Sequence, residues 1–137
     1  MTLLELREYV KFKTLRRSDD IEIEMFASLT YAAMLRVCMK TIPLSLVCDV
    51  NVNVLRYDKK ASIRRPLYPS DENAELDIDN ELCLAVAALV ACDIVVPETR
   101  GWFKNEAEDI ILDYDRNVST MALEKQNGQS VLQRCSR

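Results

Sequence analysis

The chain has no histidine and only two glycines, Gly101 and Gly128, in 137 residues. Without histidine the usual general base is missing. So are the Ser-His and Cys-His nucleophile pairs and most zinc and iron sites. Two isolated glycines cannot build a phosphate-cradling loop, and neither G-x-G-x-x-G nor G-x-x-x-x-G-K-S/T occurs. Catalysis would have to run on carboxylates, lysines or cysteines alone. The expectation is a protein that is not an enzyme and has no cofactor and no metal. Long apolar runs are also lacking. The most apolar stretch, Leu82 to Val96, is about 15 residues and contains Asp93. That is too short to span a bilayer and suits a buried helix. The opening Met1-Thr2-Leu3-Leu4-Glu5 carries charge by its fifth residue, unlike a signal peptide. A soluble, intracellular protein with no membrane partner is expected.

Cys38, Cys48, Cys83, Cys92 and Cys135 form no C-x-x-C pair, and their number is odd. Three sit in apolar runs, where cysteine behaves as a small hydrophobe, so reduced buried thiols are expected. The length fits one domain, the chain can bury roughly two thirds of its unfolded surface, and the 49% apolar content is that of a globular protein.

The patterning is mainly helical. Thr2 and Glu5 form a capping-box pattern at the start of a helix reaching about Arg16. Ser18-Asp19-Asp20 reads as the N-cap and acidic first turn of a second helix ending near Lys40, before Pro43. That helix has two apolar stripes, Phe26, Leu29, Ala33 and Val37, then Met25, Ala32, Leu35 and Met39. Such a helix is central, or lies between the core and a neighbouring subunit. From Leu46 to Leu55 the period becomes two around Val50, Val52 and Val54, which predicts a strand. Asp58-Lys59-Lys60 reads as a turn, and Ala61 to Tyr68 as a returning strand that Pro66 and Pro69 confine to an edge. Six acids in the twelve residues from Ser70 to Glu81 make an acidic connection, with Asp77 or Asp79 as a cap. A nearly all-apolar third helix spans Asn80 to Val96 and stops at Pro97. A fourth runs from Trp102 to Met121, with Phe103, Ala107, Ile110, Ile111, Tyr114 and Val118 on one face. Beyond it Gln126 to Ser130 reads as a linker and Val131 to Arg137 as a short basic tail. The expected architecture is one domain over 1–121, a bundle of four helices with a β-hairpin insertion at about 46–68, and a docking tail over 122–137.

Several constellations have a functional and a bland reading. Asp77 to Glu81 lacks the glycine and glutamate of a calcium loop and reads as a solvated loop plus cap. Glu22 and Glu24 lie two apart and point to different helix faces, so they are not a converging acid/base pair. Lys59, Lys60, Arg64 and Arg65 put four cations in seven residues on the hairpin, ahead of Asp71, Glu72 and Glu75 in the acidic connection. This segregation allows basic-edge to acidic-edge pairing between copies; the alternative is solubility and edge protection. A net charge of −4 argues against nucleic acid as the dominant partner. Trp102-Phe103 reads as an aromatic plug at the turn between the third and fourth helices. In the tail, Val131, Leu132 and Arg134 could anchor in a partner's groove, the alternative being a frayed end.

The succession of elements resembles the small, mostly helical head-to-tail adaptor (connector) proteins of tailed bacteriophages. The likeness rests on the acidic helix start Ser18-Asp19-Asp20-Ile21-Glu22-Ile23-Glu24, an irregular or β insertion, and the apolar helix Leu82 to Ala91. It continues through the break Pro97 to Gly101, the helix Asn105 to Tyr114 and the polar C-terminal extension. It covers most of the chain in pattern and carries no diagnostic motif. The resemblance implies a virion protein of the neck, made in the host cytoplasm, forming a homo-oligomeric ring of twelve copies beneath the portal protein. The ring would extend the DNA channel, pass DNA without sequence-specific binding, and offer a platform to tail or nozzle proteins. The family's C-terminal segment docks into the portal, which here implies residues 119–137. The hairpin is less typical of the family. The alternative is a small cytosolic helical regulatory or interaction module without catalysis.

Overall fold

A computed structural model describes residues 1–14, 21–48, 53–58 and 61–124. It contains helices α1 (Leu3–Thr14), α2 (Ile23–Lys40), α3 (Asn80–Ile94) and α4 (Pro97–Glu124), and strands β1 (Val47–Cys48), β2 (Val54–Asp58) and β3 (Ala61–Arg64). The mainly helical fold with a small sheet between the second and third helices is the one expected. The 122–137 tail lies outside the described residues from 125 onward, and α4 runs through 121 to Glu124.

The capping box forms as read. The Glu5 N–H donates to Thr2 Oγ1 at 3.1 Å, and the Thr2 N–H donates to Glu5 Oε1 at 3.2 Å. Leu3, Leu6 and Val10 then point inward at helical spacing. Helix α3 is the centre of the molecule. Every residue from Leu82 to Ala91 except Leu84 is buried, because the helix is covered by α1, α2 and α4 together. Phe26, Met34 and Val37 from α2 and Phe103, Ala107 and Tyr114 from α4 close over it. Each large aliphatic or aromatic side chain buried there contributes about 1.5–3 kcal/mol.

Three expectations are corrected. First, α2 begins at Ile23 with Glu22 at its N-cap, which makes no side-chain cap bond. The Ser18 cap and its acidic turn fall outside the described residues. The chain just before the helix is instead held by Arg7, whose Nη2 donates to the Ile21 carbonyl at 3.0 Å.

Second, Pro97 ends α3 and also begins α4, so the expected break through Gly101 is helical. Proline lacks only an N–H that the first helical turn leaves unused, and its φ is already helical. Starting α4 five residues earlier puts Trp102 and Phe103 about 100° apart on one helix. Phe103 faces the core, whereas Trp102 is 79% exposed. The plug is Phe103 alone.

Third, the insertion is a three-stranded antiparallel sheet of order β1-β3-β2, so β3 is central rather than an edge. It pairs with β1 through Val47↔Ile63 and with β2 through Tyr57↔Ser62. Pro66 and Pro69 lie beyond its end, where no ladder bond is lost. Residues 49–52, including Val50 and Val52, are outside the described residues. A bulge interrupts the β2–β3 ladder between Val54 and Arg56. Ahead of it Asn53 has φ 55°, a left-handed conformation that asparagine tolerates, and its carbonyl accepts the Arg65 N–H at 2.7 Å.

Candidate functional site

A polar seam ties the sheet and the acidic connection to the helices. Next to the bulge, Arg56 caps the C-terminus of α2: its Nε donates to the Cys38 carbonyl at 2.8 Å and Nη2 to the Thr41 carbonyl at 3.0 Å. A cation there satisfies carbonyls that have no helical partner. At the end of β3, Arg64 grips Asp77 with both terminal nitrogens, at 2.5 and 2.8 Å. The Leu67 N–H donates to the same carboxylate at 2.8 Å. Burial alone would raise the Asp77 carboxyl, but Arg64 and the Leu67 N–H more than offset it and hold it below its ordinary value.

Asp79 stands at the N-cap of α3 yet makes no side-chain cap bond. Its carboxylate accepts the Ser45 N–H at 2.9 Å and the Tyr114 hydroxyl at 2.6 Å. That hydroxyl in turn accepts the Leu44 N–H at 2.9 Å. Burial and the neighbouring Asp79 carboxylate push the Tyr114 hydroxyl well above the usual tyrosine range, so it stays a donor. One turn of chain away, the Thr41 hydroxyl donates to Asp115. These groups are all spent on each other, and they fix the root of the insertion against α3 and α4.

The residues proposed for contact between copies divide as follows. Arg64 is paired within the chain to Asp77, so the basic strand and the acidic connection already meet in one molecule. Glu75 pairs with the amino group of Met1, and Thr2 bridges to Glu75 by backbone. Arg65, Asp71 and Glu72 are exposed. Asp71 Oδ1 accepts the Asn73 N–H at 2.9 Å, and the Glu72 carbonyl accepts the Leu4 N–H at 3.0 Å. Lys59, Lys60, Val131, Leu132 and Arg134 lie outside the described residues. The roles of Asp77, Asp79 and Tyr114 as a clamp were not read from sequence. The available signal was a tyrosine on the inward stripe of α4, since a buried hydroxyl needs a partner.

Exposed apolar side chains occur on all four helices, Leu4, Leu84 and Leu112 among them. On α2 the second stripe faces outward, with Met25 58% and Met39 62% exposed and Ala32 between them. Elsewhere, Phe12 is 76% exposed, and the Lys13–Glu106 ion pair at 3.1 Å sets this end of α1 beside the part of α4 that bears Trp102. Two open grooves flank α2. One of about 530 Å³ has Leu3, Ile23, Ala27 and Tyr68 on its walls and Glu24, Asp71 and Glu72 on its polar side. The other, of about 420 Å³, lies at the opposite end, against Met39, Lys40 and Asp115.

Cys38 and Cys83 are buried as expected, and burial pushes the Cys38 thiol up to about 11. Cys92 is half-buried and Cys135 lies outside the described residues. Among the described residues no three His, Cys, Asp or Glu side chains converge on a metal-sized site. No helix among them is long and apolar enough to cross a membrane. Comparisons with protein-family models, with curated proteins and with solved structures find no match to this chain.

Proposed function

We propose that this chain is a head-to-tail adaptor subunit of a tailed bacteriophage, assembling as a ring beneath the portal and located in the virion neck. The carrying observation is that large apolar side chains are exposed on more than one element, Met25 and Met39 on α2, Phe12 on α1 and Trp102 on α4. A ring closed by one repeated contact needs two different faces on each subunit. A contiguous apolar stripe such as Met25, Ala32 and Met39, rather than a single exposed side chain, is the kind of surface that marks an interaction site. The seam built on Asp77, Asp79 and Tyr114 supports the same reading, because it holds the insertion rigidly on the helical body. The tail, with Val131, Leu132 and Arg134, is the segment proposed to dock on the portal. Tail or nozzle proteins would bind the opposite side, and DNA would pass through the channel without sequence-specific contact. In this role the protein carries out no catalysis.

The test is a mixture of the chain with the portal protein encoded in the same genome, followed by light scattering on a sizing column. The adaptor reading requires a discrete complex with a ring of the chain. It is overturned if no portal gene accompanies this one, or if both components elute unchanged. The second reading, a small interaction module that works as a helical dimer, is favoured by the pattern along the outer face of α2.

A further inference from the structure

The outer face of α2 reads the same in both directions. At 3.6 residues per turn, positions 24, 25, 28, 29, 32, 35, 36, 39 and 40 fall within an arc of about 160° centred on Ala32. The residues buried against the core, Phe26, Thr30, Val37 and their neighbours, occupy the opposite side. Inverting the helix about Ala32 exchanges Met25 with Met39 and Leu29 with Leu35. It also exchanges Glu24 with Lys40, which are opposite in charge.

We propose that two copies of this chain pair through this face, α2 antiparallel to α2, about a twofold axis passing at Ala32. In that arrangement the two Ala32 residues meet at the centre, where a small side chain lets the backbones approach closely. Each Met25 covers a Met39 of the other copy and each Leu29 a Leu35, burying the exposed stripe over about 21 Å of helix. Each Glu24 faces a Lys40, giving two ion pairs at the rim, with Arg36 one turn further in on the basic side. A parallel pairing would set Glu24 against Glu24 and Lys40 against Lys40, so the charges select the antiparallel one. No group at the centre of the face is charged. Arg36 has an in-chain partner in Asp93 at 3.7 Å, and Ser28 shares a hydrogen bond with Tyr68 at 2.9 Å. Ser28 and Arg36 lie about 40° either side of Ala32, inside the face, where each comes opposite the other residue of the second copy while keeping its in-chain partner. A self-complementary patch gives a closed dimer and nothing larger.

The dimer does not depend on the adaptor role. If the chain is a ring subunit, the dimer closes the apolar stripe of α2 until a portal is present. One helix on one helix is a small interface, so the dimer is concentration-dependent.

The test uses the full chain without any portal. In a background with Cys48, Cys92 and Cys135 replaced by Ser, whose remaining Cys38 and Cys83 are buried, Ala32→Cys under mild oxidation forms a disulfide-linked dimer far faster than that background alone. Met25→Cys alone does not link, whereas Met25→Cys with Met39→Cys does. By light scattering, Glu24→Lys or Lys40→Glu each weakens the dimer roughly tenfold, and the double exchange restores it. Ala32→Glu, checked for native helicity, is a monomer. The proposal is overturned if wild type is monomeric at about 0.1 mM, if Ala32→Cys links no faster than that background, or if the dimer survives Ala32→Glu. Failure of the adaptor reading would show instead in the portal mixture, which leaves these results unchanged.

Discussion

Removing one oxygen atom, in Tyr114→Phe, tests whether the seam holds the insertion on the helices. The ring is 5% exposed and its volume is kept, so no cavity term enters. The two short hydrogen bonds of the hydroxyl disappear, the 2.6 Å donation to the Asp79 carboxylate and the 2.9 Å bond from the Leu44 N–H, along with its long 3.4 Å contact to the Ile42 carbonyl. A bond to an ionised acceptor contributes about 1.5–3 kcal/mol, and an N–H left unsatisfied costs about 1–3 kcal/mol. Asp79 and Leu44 are only half-buried, so water recovers part of this. The expected loss is about 2–3 kcal/mol, or about 10 °C in Tm for a domain of this length. Urea unfolding followed by circular dichroism should show an earlier midpoint with the slope unchanged. A double-mutant cycle with Asp79→Ala should give a coupling above about 1 kcal/mol, since the two groups touch. The pH dependence has a defined sign. Tyr114 titrates higher folded than unfolded, so its contribution is complete below the ordinary tyrosine range near pH 10 and is lost as pH rises above it. Tyr114→Phe should remove that alkaline loss. A change below about 0.5 kcal/mol, or additive effects in the cycle, would refute the reasoning.

Three further outcomes are expected. Gly101→Ala should raise stability by about 0.5–1 kcal/mol in the same urea assay, because Gly101 is helical and an added Cβ meets nothing within 4 Å. Asp77→Ala should cost about 1.5–2 kcal/mol at neutral pH, since Arg64 is left partly buried without its carboxylate. The Asp77 carboxyl titrates lower folded than unfolded, so this contribution is present above the ordinary carboxylate range near pH 4 and fades as pH falls. Acid titration of both proteins should therefore show the gap closing below that range. Trp102→Ser should change stability by less than about 0.5 kcal/mol while weakening association with the portal, measured by light scattering.

The sequence is legible where one short-range interaction decides the outcome. Thr2 and Glu5 cap α1 because both partners lie within one turn. The uninterrupted apolar run from Leu82 identified the central helix because only a helix covered on all sides tolerates it. The two stripes of α2 were legible, and so was the choice they pose between a central helix and one shared with a neighbour. What escaped depends on contacts distant in sequence. Proline both ends and begins helices, and nothing near Pro97 distinguishes the two, so neither the start of α4 nor the exposure of Trp102 is legible there. The place of β3 in the middle of the sheet follows from which strands flank it, and β1 is only two residues long. Asp79 and Tyr114 lie 35 residues apart. Among six neighbouring acids, only the fold singles out the two that are spent on Arg64 and Tyr114. The exposed residues Arg65, Asp71 and Glu72 remain where a contact between copies could use them.

The proposal that this chain is a ring-forming neck protein is tested most directly by mixing it with a portal protein found in the same genome and measuring the mass of what forms. The adaptor account predicts a single species with one copy of this chain for each portal subunit, twelve on a twelve-membered portal, and loss of that species when residues 125–137 are removed. Two separate species at their unmixed masses would contradict it.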